Sequence, residues 1–149
     1  VGRKRIDIAI LDKKGSPFIY IEFKAMYTFD CIQTSRGRIP DNYQKALIKD
    51  IQKCNANDDI IKTYAVLLAT HPHKSIPREY TKTIKYAGSI NKNLGKKDNI
   101  EIYEECDENL KNYFNGLVSG AIMKDGEALK NVVDVYYWML GPLSKKEPT

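Results

Sequence analysis

The chain has few residues of the kinds that bind zinc or form disulfides. Its 149 residues include three cysteines and two histidines. Cys31, Cys54 and Cys106 are odd in number and show no Cys-x-x-Cys or Cys–His spacing. Neither a disulfide framework nor a zinc site is therefore expected. We expect all three thiols to be reduced and packed in the interior.

Long apolar runs are also missing. No segment approaches the roughly 20 apolar residues that a membrane-spanning helix needs, and no signal-peptide pattern opens the chain. These absences favour a cytoplasmic protein that does not associate with membranes. The length and a hydrophobic content of 42% indicate one globular domain, residues 1–149, with its own core.

Acidic residues are outnumbered by basic ones. The sequence has 24 lysines and arginines against 19 aspartates and glutamates, a formal net charge of +5. This balance suits a polyanionic partner such as DNA. Arg3, Arg5, Arg36 and Arg38 flank the segment described next and are candidate phosphate contacts. Solvated positions in loops explain each arginine equally well.

Two segments near the start alternate between apolar and other residues, which is typical of strands. Their apolar members are Ile6, Ile8 and Ile10, then Ile19, Ile21 and Phe23. Residues 13–16 read as a turn. If they form the whole loop, Asp12 pairs with Pro17 and Asp7 lies opposite Glu22. The six apolar side chains then share one face, whose burial would fix this register.

The opposite face of this hairpin carries Asp7, Glu22 and Lys24. Two carboxylates about 5 Å apart on adjacent strands repel each other, and a divalent cation removes that cost. Mg²⁺ suits such a site because it keeps several waters and shares one or two carboxylates with a substrate phosphate. A lysine beside it can orient a water or stabilise charge on the phosphate.

An Asp followed on the next strand by Glu22-Phe23-Lys24 resembles the motif of the PD-(D/E)XK nuclease superfamily, which includes many restriction, repair and junction-resolving enzymes. The resemblance implies an α/β fold with a central mixed β-sheet flanked by helices, and DNA hydrolysis that depends on Mg²⁺ or Mn²⁺ and leaves a 5′-phosphate. It also implies that Asp7, Glu22 and the Phe23 carbonyl hold the metal while Lys24 serves the nucleophile. Ile6 stands where the motif has its proline.

Several alternatives remain at this point. A restriction-type endonuclease is the first expectation, with a repair or recombination nuclease and an inactive nucleic-acid-binding module as rivals. Charged residues on the outer face of a hairpin also fit a solvated ion pair. Family members usually begin with a helix and a strand before the Asp-bearing strand, which we expect this chain to lack.

Periodicity predicts the remaining elements. A helix should run from Asp41 to Cys54, with Gln44 and Lys45 either reaching the site or lying on a solvated face. The other expected elements are a buried strand at 63–70, a helical segment at 77–94, a strand at 99–103, and added C-terminal helices at 107–122 and 127–140. In the last helix, Tyr137 and Trp138 could pack within the domain or against a second subunit of a homodimer. His71 and His73 lack a third ligand nearby, so a metal role is not favoured for them.

Overall fold

The structure of the protein, a computed structural model, describes residues 6–33, 37–55, 62–94, 98–115, 118–119 and 123–143. The strands are β1 (Ile8–Leu11), β2 (Pro17–Tyr27), β3 (Lys62–Pro72), β4 (Val118–Ser119), β5 (Met123–Ala128) and β6 (Asn131–Leu143). The α-helices are α1 (Asn42–Asn55), α2 (Ala87–Asn93) and α3 (Asn99–Tyr113). Short 3-10 turns occupy Thr28–Asp30 and Arg78–Tyr80.

The strands form one mixed sheet of six strands. Its order is β1-β2-β3-β6-β4, and β5 also pairs with β6. β2 and β3 are parallel and are joined through α1, while the β1–β2 and β3–β6 pairs are antiparallel. A parallel pair needs a long crossover connection, and a helix is the usual one. The predicted α/β class, with a mixed sheet and a β-α-β unit, is therefore confirmed.

Helix α1 packs against β2 and β3. Leu47, Ile51 and Cys54 recur at helical spacing and are almost fully buried. Each large apolar side chain of this kind contributes roughly 1.5–3 kcal/mol when removed from water. The stripe therefore fixes which face of α1 meets the sheet, and the helix predicted at 41–54 is confirmed within a residue or two.

The main core lies between one face of the sheet and the helices α1 and α3. Leu67 of β3 lies opposite Trp138 of β6 on this face, and Leu110 of α3 belongs to the same buried cluster. The Trp138 indole is 1% exposed and donates a hydrogen bond from Nε1 to Asp107 Oδ1 at 2.8 Å. Trp138 thus packs within the domain, whereas Tyr137 on the other face is 37% exposed.

The buried face of β2 is not the predicted one. The apolar residues of the hairpin do share a face, but Ile8 is 44% exposed, Ile10 39% and Phe23 36%. The residues that point toward α1 include Tyr20 and Glu22, which are buried. The expectation that apolar burial selects the register was wrong, because the helices cover the side that carries the acids.

The region after residue 98 differs most from the prediction. The strand expected at 99–103 is the first turn of α3, which ends at Tyr113 rather than near residue 122. A reciprocal cap starts this helix, because Asp98 Oδ1 accepts from the Glu101 amide at 2.9 Å and Glu101 Oε2 accepts from the Asp98 amide at 3.0 Å. This capping box overrides the short alternating pattern that suggested a strand.

The helix predicted at 127–140 is wrong, because the chain there forms the β5–β6 hairpin. Ala128 pairs with Asn131, and the two residues between them, Leu129 and Lys130, have φ of 52° and 61°. Two consecutive positive φ values match the twist that a two-residue hairpin requires. β-branched and aromatic residues fill β6, which favours a strand.

Two further predictions concern the cysteines and the segment at 77–94. The cysteines are free and buried, as expected. The segment at 77–94 is only partly α-helical, since α2 covers Ala87–Asn93. No helix in the described part of the chain is long and apolar enough to cross a membrane.

Candidate active site

The hairpin that carries the candidate site has the predicted register over most of β1. Ile8 pairs with Ile21, Ala9 with Tyr20 and Ile10 with Ile19. Continuing this register by one residue places Asp7 opposite Glu22. The predicted register is therefore confirmed for Ile8, Ala9 and Ile10, and Asp7 lies just before these paired residues.

The predicted loop is wrong by one residue. Leu11, not Asp12, pairs with Pro17, and the pairing is irregular after Ile10. Asp12 closes the loop, because its Oδ1 accepts hydrogen bonds from the amides of Lys14 at 2.8 Å and Ser16 at 2.9 Å. Such a side-chain turn is a common use of aspartate. Gly15 takes φ of 82°, a conformation that favours glycine.

Asp7 lies just before β1 and is exposed. Its Oδ2 accepts a hydrogen bond from the Phe23 amide at 2.8 Å, which fixes the carboxylate against β2. The amide and carbonyl of one strand residue face the same neighbour. The Phe23 carbonyl therefore points toward the edge where Asp7 lies, although the Phe23 side chain lies on the other face of the sheet.

Glu22 is the buried acid of the site, with 7% of its surface exposed. Its Oε1 accepts a hydrogen bond from the Cys54 thiol at 3.4 Å. Burial raises the pKa of Glu22 above its ordinary value, the thiol acts against that rise, and the negative charges of Asp7 and Asp50 add to it. Glu22 thus lies where a positive charge would be stabilising.

Lys24 shares the inner side of β2 with Glu22, but its ammonium is paired. Nζ lies 2.7 Å from Oδ2 of Asp50, a residue of α1, and both groups are partly buried. Lys53 binds the other oxygen of Asp50. Burial acts to raise the pKa of Asp50, but the hydrogen bonds from Lys24 and Lys53 hold it below its ordinary value. Asp50 is therefore a carboxylate anion, and it fixes the position of the Lys24 ammonium.

Asp50 is the residue of this cluster that the sequence interpretation missed. It follows Leu47 by three positions and precedes Cys54 by four, so it lies on the helix face that meets the sheet. An acid within an otherwise apolar stripe was the available signal.

The cluster fits a divalent cation only in a particular way. No group of three or more His, Cys, Asp or Glu side chains among the described residues is arranged to hold a metal ion. Asp7 and Glu22 supply two carboxylates, and Mg²⁺ sites are often completed by waters and phosphate oxygens. A neighbouring cation would stabilise the charged form of the buried Glu22 and so act against the rise in its pKa. Two carboxylates and the Phe23 carbonyl could therefore hold Mg²⁺ or Mn²⁺ together with water and substrate.

The remaining predicted site residues that the structure describes are not part of this cluster. Arg3, Arg5 and Arg36 lie outside the described residues. Gln44 is buried, and its amide nitrogen contacts Cys31 Sγ at 3.4 Å and the Pro40 carbonyl at 3.3 Å. Its side chain thus serves the packing at the start of α1.

Two basic candidates lie near the start of α1 instead. Lys45 Nζ binds Asp41 Oδ2 at 2.8 Å. Arg38 is exposed, and its charge helps to lower the pKa of Asp41, an effect in which the hydrogen bond from Lys45 is the largest contribution. This basic group is separate from the acids of β2, and its role in binding DNA stays a prediction.

The two histidines have structural partners. The buried His71 places Nδ1 2.7 Å from Thr28 Oγ1, and His73 Nε2 lies 2.8 Å from Asp134 Oδ2. These contacts hold the end of β3 to the turn after β2 and to β6.

Comparisons with family models, with curated proteins and with solved structures found no match to this chain. The function is therefore inferred from the residues of the site itself.

Proposed function

We propose that the chain is a Mg²⁺-dependent endonuclease that hydrolyses phosphodiester bonds of DNA and leaves a 5′-phosphate. The observation that carries this proposal is the buried Glu22 carboxyl, with Asp7 at the same strand edge and the Lys24–Asp50 pair on its inner side. A desolvated carboxyl with other acids beside it is costly in a structural role and is common in catalytic sites.

Each residue of the site has a chemical role in the proposed reaction. Asp7 and Glu22 bind the cation, with the Phe23 carbonyl as a further oxygen ligand. A bound divalent cation supplies Lewis acidity toward the phosphate and lowers the pKa of water. Lys24 donates a hydrogen bond to the attacking water or to a phosphate oxygen. Asp50 is a positioning residue, because its carboxylate holds the Lys24 ammonium on the inner side of β2.

The positive charge of the protein favours DNA or another polyanion as the substrate. The net charge of +5 raises the local concentration of a polyanion, and Arg38 and Lys45 add positive charge at the start of α1. Contacts of this type bind phosphates without reading sequence. A restriction-type enzyme remains our first choice within the proposal, and a repair or recombination nuclease is the nearest rival.

The proposal is tested by nicking of supercoiled plasmid in Mg²⁺ or Mn²⁺, with chelator as the blank. We expect cleavage by the wild type and its loss in Asp7→Ala and Lys24→Ala, with DNA binding retained. Glu104→Gln, an exposed acid on α3, is the control and should cleave normally. Binding by the wild type without metal-dependent cleavage would contradict the proposal and favour an inactive binding module.

A second assay separates the two kinds of nuclease. Plain duplex, a four-way junction and a nicked or mismatched duplex would be compared at equal concentration. Preference for the plain duplex supports the restriction-type assignment. A strong preference for branched or damaged DNA would replace it with a repair or recombination role.

A further inference from the structure

A second feature, separate from the acids of β2, is a cavity where the end of β2 meets the starts of α1 and α2. Its volume is about 260 Å³, and its lining includes Tyr27, Phe29, Asp30, Tyr43 and Tyr86. This size is slightly below the range of roughly 300–1,000 Å³ typical of sites for drug-sized molecules. The cavity therefore suits a small group surrounded by aromatic rings.

Asp30 is the charged residue of this cavity. Its Oδ2 accepts a hydrogen bond from the Tyr27 amide at 2.9 Å, and the Tyr43 hydroxyl donates another to the carboxylate. Burial raises its pKa above the ordinary value, and these two hydrogen bonds only partly offset the effect. Among the described residues, no lysine, arginine or histidine pairs with Asp30. No cation among the described side chains thus compensates for the desolvation of this carboxylate.

Tyr86 shows two further unusual features at the same place. Its backbone has φ of 66° and ψ of 17°, a left-handed conformation that is unfavourable for a bulky residue. Its side chain is 52% exposed, although it is a large aromatic ring. Backbone strain of this kind is concentrated at ligand-binding positions. The strained turn places the Tyr86 ring at the border of the cavity.

We propose that this cavity binds an alkylated ammonium group, such as a quaternary ammonium head, with Asp30 as its counter-ion and the tyrosine rings around it. Aromatic faces attract cations, and rings that surround a quaternary ammonium form a recognised type of site. The Lys85 ammonium lies 4.8 Å from the centre of the Tyr86 ring, a distance at which a ring face and a cation interact.

The chemistry of the lining favours an alkylated cation over a bare one. A bare ammonium is strongly hydrated, and one carboxylate surrounded by rings replaces few of its lost hydrogen bonds. An alkylated ammonium loses less hydration and buries methyl groups against Tyr27, Phe29 and Tyr43. A nucleobase stacked on the tyrosines is the principal competitor, and the test must distinguish it.

The test is calorimetric or NMR titration of the full chain with choline, compared with its uncharged analogue in which carbon replaces the nitrogen. We expect choline to bind and the analogue, which has the same shape, to bind at least about tenfold more weakly, a difference of about 1.4 kcal/mol. Equal binding of the two molecules would overturn the proposal, and so would no binding of choline. Tighter binding of cytidine or adenosine than of choline would also overturn it, in favour of a base-binding pocket.

Variants then assign the residues. Asp30→Asn keeps an acceptor for the Tyr27 amide and should weaken choline binding about tenfold or more, while Glu104→Gln should leave binding unchanged. Tyr86→Phe should bind choline, whereas Tyr86→Leu, which removes the aromatic face, should bind it more weakly. Unchanged affinity in both Asp30→Asn and Tyr86→Leu would overturn the assignment. Thermal melts establish that each variant is folded, and the wild-type comparison of choline with its analogue needs no variant.

Discussion

Glu22 and Asp30 carry carboxyl groups that lie close together in the sequence but in different surroundings. Both are placed by β2 or by the turn that follows it, and burial raises the pKa of each. Glu22 has two other acids, one lysine and a thiol nearby, whereas Asp30 has a tyrosine hydroxyl, a backbone amide and aromatic rings. The comparison shows that burial alone does not define a site. Neighbouring acids suit a small divalent cation, and aromatic rings suit a larger organic cation.

The largest difference between the two sites should appear in catalysis. Replacing Glu22 by Gln removes one proposed metal ligand and should reduce DNA cleavage by at least about 10²- to 10³-fold, comparable to the loss of one key electrostatic group elsewhere. Asp30→Asn should change cleavage little. Initial rates of plasmid nicking measure both variants. Equal losses in the two variants would mean that the proposed division between the sites is wrong.

The next largest effect concerns stabilisation by metal. A ligand that binds only the folded state at 100 times its dissociation constant adds about 2.7 kcal/mol to the unfolding free energy. Saturating Mn²⁺ should therefore stabilise the wild type and Asp30→Asn, but not Glu22→Gln, in denaturant unfolding. Choline should stabilise the wild type and Glu22→Gln, but not Asp30→Asn. Stabilisation of Glu22→Gln by Mn²⁺ to the same extent as the wild type would place the cation elsewhere.

A smaller effect is expected at Asp50, which touches Lys24 but not the substrate. Asp50→Asn removes the ion pair that positions the lysine and should lower kcat about tenfold with little change in KM, since hydrogen bonds to charged groups are worth about 1.5–3 kcal/mol. Lys53→Gln removes the other partner of Asp50 and is the matched control. It should lower kcat less than Asp50→Asn does, and a larger effect would show that Lys24 is not the group being positioned.

The smallest expected effect is on stability as a function of pH. Asp30 binds its proton more tightly in the folded state than in the unfolded state, because burial raises its pKa above the ordinary value of 3.8. Its contribution is therefore fully favourable below that pH and is lost as the pH rises through the folded-state pKa. Asp30→Asn lacks this loss, so its unfolding free energy should gain on the wild type as the pH rises. Urea unfolding from pH 4 to 7 measures the difference, and parallel curves would contradict the account.

The part of the fold that the sequence predicted well depends on local and strongly patterned signals. These signals are visible within one segment or two neighbouring ones. They are the register of Ile8 with Ile21, the apolar stripe of α1 and the continuous apolar run of β3. The Glu22-Phe23-Lys24 segment was found for the same reason, since alternation along one strand places Glu22 and Lys24 on one side.

The parts that were wrong depend on competition between local patterns and tertiary packing. Leu129 and Lys130 form the β5–β6 turn without the Asn or Gly that usually marks one, so the pattern at 127–140, which includes them, predicts a helix instead. Which face of β2 is buried follows from the positions of α1 and α3, and alternation is equally compatible with either face. Asp50 and the cavity around Asp30 depend on contacts between elements far apart in sequence, which no single segment encodes.

Whether Asp7 and Glu22 bind a divalent cation can be observed in a crystal of the chain that is soaked in Mn²⁺ and measured for anomalous scattering. We expect a peak between Asp7 and Glu22, about 2.0–2.2 Å from an oxygen of each carboxylate, close to the distances of a hard divalent cation. The same soak of Glu22→Gln should give no peak there. A wild-type crystal with saturating Mn²⁺ and no density between the two acids would contradict the proposed active site.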